Sequence, residues 1–392
     1  MSGPSDLFAE PRRIRRGAAL TMVFAGVLVT GAATGSLPDE GPDAAREASA
    51  PARTAPAGHR QAVADAAAEA MADGKSPVEA AERAVSRSGD RWGAVYSPGD
   101  FEEFEEAMDG RYTGVGLWAA RTGDGHIAVI RVRSGSPAAE AGVRKGDRLL
   151  SVDGHDVDGR PVTEVVSLLR GDAEDAAAGT TVSLGLERGT RAWRQTLRRA
   201  LLSTEPVTVR RPDSAVTVIK VAAFTKGSGD RVKDAVARAP REDGIVLDLR
   251  GNSGGLVTEA VTAASAFLDG GLVATYDVRG DQRALHAERG GDTARPLVTL
   301  VDGGTMSAAE LLTGALQDRG RAVVVGSRTF GKGSVQMPSP LPGGSTAELT
   351  VGHYRTPSGR GVDGRGITPD LEADDEAVQR AETVLSGLGD PS

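Results

Sequence analysis

The sequence has 392 residues, 39% of them hydrophobic and 26% charged, a globular balance that excludes whole-chain disorder. With 46 Lys and Arg against 54 Asp and Glu the formal net charge is -8, which disfavours a general nucleic-acid binder, because phosphate contacts need clustered positive charge. There is no Cys, which removes disulfides, thiolate zinc sites and cysteine nucleophiles; the five His are scattered without an H-E-x-x-H, and no metal or other cofactor is expected.

The chain opens with a basic flank, Arg12-Arg13-Ile14-Arg15-Arg16, followed by an uncharged apolar run over 17–35. That run approaches bilayer-spanning length and its basic side stays cytoplasmic, so 1–35 is expected to be a membrane anchor, or a signal peptide cut near the small residues around Gly31 and Gly35. The protein is then single-pass in the cell membrane with the rest of the chain extracytoplasmic, or secreted. Residues 36–58, rich in Ala and Pro, read as a disordered linker. Residues 59–111 read as helical. Ser76-Pro77-Val78-Glu79 announces one helix with an N-cap, a first-turn Pro and a capping Glu, and a further short helix starts at Asp100 and stops at Gly110.

Over 112–199 the pattern changes to short strands and turns. Thr113, Gly114, Val115, Gly116 and Leu117 form a Gly-rich entry, a capped turn covers 136–142, and a later helix carries Val162, Val165, Val166 and Leu169. The string SPAAEAGVRKGDRLLSVDGHDVDG over 136–159 resembles the PDZ domain in the form found in bacterial proteases. The resemblance implies a groove that adds an extended peptide as a strand and captures its terminal carboxylate on backbone N–H groups. Thr113, Gly114, Val115, Gly116 and Leu117 match the carboxylate-binding loop, with Val162, Val165 and Leu169 beside the terminal side chain.

From 200 to 385 apolar strands at 216–222, 245–249, 297–301 and 322–325 alternate with amphipathic helical stretches, an α/β layer pattern. Three stretches within it could carry chemistry. Gly251-Asn252-Ser253-Gly254-Gly255 resembles the nucleophile loop of trypsin-like proteases, but a β-barrel His and Asp are missing upstream. Residues 326–332 satisfy most of a phosphate-binding P-loop, yet Gly333 stands where the Mg-binding Ser or Thr belongs, and an extended segment follows where a helix is needed. Ser307 lies directly after the strand at 297–301 and at the start of a helix, where unpaired N–H groups and the dipole suit an oxyanion; read alone, an ordinary Ser near an N-cap fits the segment better.

Three strings together change that balance: DLRGNSGG (248–255), TMSAAELLTGALQDRGRAVVVGSRTFGKGSVQ (305–336) and YRTPSGRGVDGRGITPD (354–370) resemble the C-terminal processing peptidases, the S41 serine peptidases. The resemblance covers most of 60–385. It implies an α/β peptidase core of the crotonase and Clp kind, with an inserted PDZ domain and a helical N-terminal segment. It also implies a nucleophile and a general-base Lys spaced as Ser307 and Lys332 are, with Gln336 as the orienting partner. The oxyanion hole would come from the backbone N–H of Ala308, Gly254 and Gly255, and Gly331 and Gly333 would let the chain pass close to the nucleophile helix. Asp302, Met306 and Ala309 depart from the family's usual Asn, Ala and Ser.

The resulting expectation is an exported serine endopeptidase with a Ser-Lys dyad that cleaves proteins or peptides near accessible C-terminal tails, and whose partners are such substrates and the membrane but no nucleic acid. The rival is a non-proteolytic PDZ adaptor. The oligomeric state stays open, with a dimer among the options.

Overall fold

The computed structural model describes residues 57–171, 177–212, 215–278, 281–373 and 376–388. The expected anchor at 1–35 and almost all of the expected linker lie outside the described residues. Among the described residues no helix is long and apolar enough to cross a membrane.

Helices α1 (Ala57–Ala72) and α2 (Pro77–Ser88) pack together through Val63, Ala67, Ala81 and Val85. The start of α2 follows its local code: Ser76 Oγ accepts the Glu79 N–H at 3.3 Å, and Gly89 ends the helix in the left-handed region. A short strand, β1 (Ala94–Tyr96), leads into α3 (Pro98–Met108). This helix begins two residues before the expected Asp100, because Ser97 is its cap and accepts the Asp100 N–H at 3.2 Å.

The next ten elements are β2 (Arg111–Gly114), β3 (Leu117–Arg121), β4 (Ile127–Val132), α4 (Pro137–Glu140), β5 (Arg148–Val152), β6 (His155–Asp156), α5 (Val162–Arg170), β7 (Thr181–Arg188), β8 (Arg191–Arg198) and β9 (Ala200–Ser203). Strands β3-β4-β5-β7-β8 form an antiparallel sheet with β6 on β5, closed over a core that includes Ile127, Val129, Leu149, Val165, Leu184 and Leu186. β2 pairs with β9, Arg111 opposite Ser203, so the chain enters and leaves this unit side by side. The buried Arg199 donates to Leu169 O at 3.0 Å, placing a cation at the C-terminal end of α5.

The remainder comprises β10 (Val207–Arg210), β11 (Val216–Val221), α6 (Ser228–Arg238), β12 (Gly244–Asp248), α7 (Val257–Ala264), β13 (Leu272–Val278), β14 (Asp281–His286), β15 (Leu297–Val301), α8 (Ala308–Asp318), β16 (Val323–Gly326), β17 (Ser334–Pro340), β18 (Thr346–Arg355), β19 (Leu371–Glu372) and α9 (Ala377–Leu388). A sheet of order β10-β11-β12-β15-β16-β19 is parallel except at β10. Its inner strands β12, β15 and β16 read as apolar runs because both faces are covered. Ile219, Ile245, Leu247 and Leu297 point to the side of α6, α7 and α8, while Val218, Val246, Val298 and Val325 pack on Ala377, Ala381 and Leu385 of α9.

An antiparallel sheet, β1-β18-β13-β14 with β17 on β18, completes the core. In it β1 lies against β18 with Ala94 opposite Glu348, so the N-terminal helices are joined to the C-terminal part of the chain by backbone hydrogen bonds.

Candidate active site

Strand β15 is buried along its whole length, and the chain leaves it through a tight loop into α8. Ser307, at that junction, has φ 52 and ψ -117. A non-Gly residue there carries strain of about 1–3 kcal/mol and persists only where its surroundings hold it. Three hydrogen bonds do so. Ser307 N–H donates to Glu310 Oε2 at 2.9 Å, and Ser307 O accepts from Leu311 N at 2.9 Å and from the buried Tyr354 hydroxyl at 3.0 Å.

The loop after β12 is fastened to this junction. Thr305 Oγ1 donates to Leu249 O at 3.0 Å, Met306 N to Asn252 O at 2.8 Å, and Asp302 Oδ1 accepts from Gly251 and Gly304 N at 2.8 and 2.9 Å. The acceptor function expected of an Asn is therefore kept by Asp302. Gly254 has φ +100, and a Cβ on it would fall 2.9 Å from Ser307 Cβ; Gly255 has φ +126, and its Cβ would fall 2.3 Å from Phe224 O. Only glycine fits both places. One expectation is corrected here: the Gly254 N–H donates to Asn252 Oδ1 at 2.8 Å and is not available to an oxyanion. The Ala308 and Gly255 N–H groups have no intramolecular acceptor among the described residues, and Ala308 opens α8.

Lys332 is brought to Ser307 by a residue that the sequence reading passed over. Glu310, wholly buried, accepts from Ser307 N and from Lys332 N on the same oxygen, Oε2, at 2.9 and 2.8 Å, so the two backbone nitrogens are closer than the sum of those distances. Its Oε1 accepts from Gly331 N at 2.7 Å and from Thr329 Oγ1. Burial pushes the Glu310 carboxyl above its usual range, against the pull of these donors. A Glu three residues after a Ser at a helix start is the capping-box pattern, which was the available signal.

Burial also depresses the Lys332 ammonium below the usual lysine range, opposed by the charges of Glu348, Asp90 and Glu310. Lys332 Nζ stands 5.1 Å from the centroid of the Trp92 ring, and no hydrogen bond joins it to Ser307 among the described residues. No hydrogen bond joins it to Gln336 among the described residues; the Gln336 Nε2 donates to Ser334 Oγ at 2.8 Å on its own strand and to Thr350 Oγ1 at 3.3 Å across the β17–β18 pair. Gly331 and Gly333 permit a close approach, but to the turn at 363–366 rather than to the nucleophile helix; a Cβ on Gly333 would fall 2.4 Å from Asp363 N.

Among the described residues, neither competing motif meets the partners its chemistry needs. No His is hydrogen-bonded to Ser253 among the described residues, and the P-loop-like stretch runs from β16 into β17 with no helix between. In the smaller unit, Thr113, Gly114, Val115, Gly116 and Leu117 line a cleft with Leu169, facing Glu103 of α3. The helix-side expectation is corrected in part: Val165 is wholly buried in that unit's own core, Val162 packs partly against it, and Val166 lines the cleft in their place.

Comparison with known proteins places these features in a family. The sequence profile described as Peptidase family S41 matches residues 215–373, and that of the PDZ domain matches 129–178. The carboxy-terminal processing protease CtpA of Bacillus subtilis (strain 168) is 32% identical over 278 residues, covering 70% of this chain and 58% of that protein. The carboxyl-terminal-processing protease of Synechocystis sp. (strain ATCC 27184 / PCC 6803 / Kazusa) is 34% identical over 295 residues, covering 73% of this chain and 68% of that one. A solved structure, the photosystem II D1 C-terminal processing protease, superposes with a TM-score of 0.52 at 27% identity over 85% of this chain and 97% of the other. The chain spans less than two thirds of the length of the first relatives it matches, 58% for the Bacillus protein. With both sequence profiles, the extent of identity and the shared architecture taken together, the chain belongs to the carboxyl-terminal processing proteases of peptidase family S41, with a PDZ domain.

Proposed function

We propose that this protein is a serine endopeptidase that uses Ser307 as nucleophile and Lys332 as general base. The observation that carries the reading is the buried Glu310 carboxylate, which holds the backbone of a strained, helix-capping Ser and that of a desolvated Lys on one oxygen. A burial-depressed Lys supplies a neutral amine nearer to neutral pH, so no His is needed to take the Ser307 proton. The Ser307 oxygen then adds to the scissile carbonyl, and the negative charge on the carbonyl oxygen is met by the Ala308 and Gly255 N–H groups and the positive end of α8. Collapse of the tetrahedral adduct expels the amine, which takes its proton from the Lys332 ammonium and leaves an ester on Ser307. Water, deprotonated by the same Lys, hydrolyses that ester.

The reaction requires Lys332 Nζ to leave the Trp92 face for Ser307 Oγ, a side-chain movement, because the backbones are already adjacent. The cleft along Thr113, Gly116 and Leu117 is the proposed seat of an extended substrate tail, with Val166 and Leu169 against its terminal side chain. Substrates are accordingly proteins with flexible, free C-termini. The apolar run at 17–35 is proposed to export the chain, leaving the peptidase outside the cytoplasm as a membrane-anchored or secreted protein. An adaptor that only bound tails would have no use for the strain at Ser307. The test is incubation with an unfolded protein, followed by mass spectrometry: cleavage by the parent chain and none by Ser307→Ala or Lys332→Ala is expected, and equal cleavage by all three refutes the assignment.

A further inference from the structure

Trp92 lies outside the S41 profile match, in the turn between α2 and β1, yet it meets the proposed base. Its position is fixed from two sides. Asp90 Oδ1 accepts the Trp92 N–H at 3.2 Å and the Gly93 N–H at 3.0 Å, and the same carboxylate accepts Thr350 Oγ1 at 2.7 Å and Thr350 N at 2.8 Å from β18. Phe330, two residues before Lys332, meets the indole edge-on at 5.8 Å between centroids. Arg91 also lies against this ring, 4.8 Å from its centroid.

We infer that Trp92 is a positioning residue for Lys332: its indole holds the ammonium form of the base away from Ser307, and so sets the pH at which the base becomes available. The inference rests on the Ser-Lys reading above. An ammonium within about 6 Å of an indole face is attracted by the ring quadrupole, whereas a neutral amine is not. The contact therefore favours the protonated, withdrawn Lys332, and deprotonation removes the attraction and frees the side chain. The other charged groups facing Lys332 are Glu348 of β18, to which the Tyr96 hydroxyl of β1 is hydrogen-bonded, Asp90 of the turn, and Glu310 of α8. Asp363, which accepts the Gly333 N–H at 3.1 Å and approaches His353 to 3.7 Å, lies beyond them. All three carboxylates favour the ammonium, and Trp92 adds to them without charge.

Replacing the π-face by an apolar side chain should lower the pH at which Lys332 gives up its proton. For Trp92→Leu the acid limb of the kcat/KM profile should move down by about one pH unit, and for Trp92→Phe by less, because the smaller ring keeps part of the attraction. The high-pH plateau should change less than the limb. A Trp92 that merely fills space would lower the plateau and leave the limb in place, and that result overturns the inference.

A second readout needs no catalysis. The chain has three Trp, so Trp118→Phe with Trp193→Phe leaves Trp92 as the sole indole. In that background its emission should change with pH as Lys332 titrates, and Lys332→Met should abolish the transition. A transition that persists in Lys332→Met, or none in either protein, refutes the contact. If the parent chain cleaves nothing, the peptidase reading fails separately, while the fluorescence titration still decides whether Trp92 holds Lys332.

Discussion

Glu310→Gln tests how the proposed dyad is assembled. The carboxylate accepts four hydrogen bonds, two on each oxygen; a Gln amide can keep its oxygen on the Ser307 and Lys332 N–H groups while its NH₂ faces the Thr329 hydroxyl, which can turn to accept, and the Gly331 N–H, which cannot. Hydrogen bonds to a charged group contribute about 1.5–3 kcal/mol each, so losing the one from Gly331 costs about that much, and the others weaken as the charge is removed. Removing the buried charge returns part of this, since burial already disfavours the ionised form. The net expectation is a destabilisation of about 1–3 kcal/mol, within the range of most destabilising single substitutions. Urea unfolding followed by circular dichroism measures it. Cleavage should fall at least 100-fold, since a misplacement of about 1 Å at a reacting group has that effect. A Glu310→Gln protein with parental stability and parental kcat would refute the role assigned to this carboxylate.

The remaining expectations concern Ser307, Lys332 and Asp302. Because Ser307 sits at φ 52, Ser307→Gly should be more stable to urea than Ser307→Ala by about 1 kcal/mol, both being inactive; the reverse order would mean that the backbone is unstrained. Lys332 has a folded-state pKa below its ordinary value, so between the two the unfolded chain binds more protons and stability rises with pH, up to about 10.4. Lys332→Met should therefore be inactive but more stable than the parent at neutral pH, with an advantage that shrinks as pH rises through that window; an advantage independent of pH contradicts the assigned cause. Asp302→Asn keeps an acceptor for Gly251 and Gly304 and should cost under about 1 kcal/mol, whereas Asp302→Ala leaves both donors unpaired and should cost about 2–3 kcal/mol by the same unfolding assay.

Much of this was legible because it is written locally. The Ser76 cap, the period-2 strands and the Gly-rich loops encode their own geometry, and three strings in fixed order carry the family resemblance. Ser307 could be found only through that resemblance, since a Ser at a helix start is by itself ordinary. Glu310 was hidden for the opposite reason: a capping Glu is common, and what sets this one apart is contact with Gly331 and Lys332 about twenty residues further along, which no spacing rule reports. Trp92 and Asp90 are more remote still, brought to Lys332 by the pairing of β1 with β18. The expected roles of Gly254 and Val165 failed on N–H and side-chain direction. Each stands near the expected place, but its N–H or its apolar face is already committed to a neighbour.

The most direct test of the central claim is to trap the acyl-enzyme. The protein is mixed with a peptide carrying an activated C-terminal ester, quenched in acid within milliseconds to seconds, and digested for mass mapping. An acyl group is expected on Ser307, absent from Ser307→Ala and strongly reduced in Lys332→Ala. An adduct on Ser253, or one on Ser307 that forms equally fast without Lys332, would contradict it.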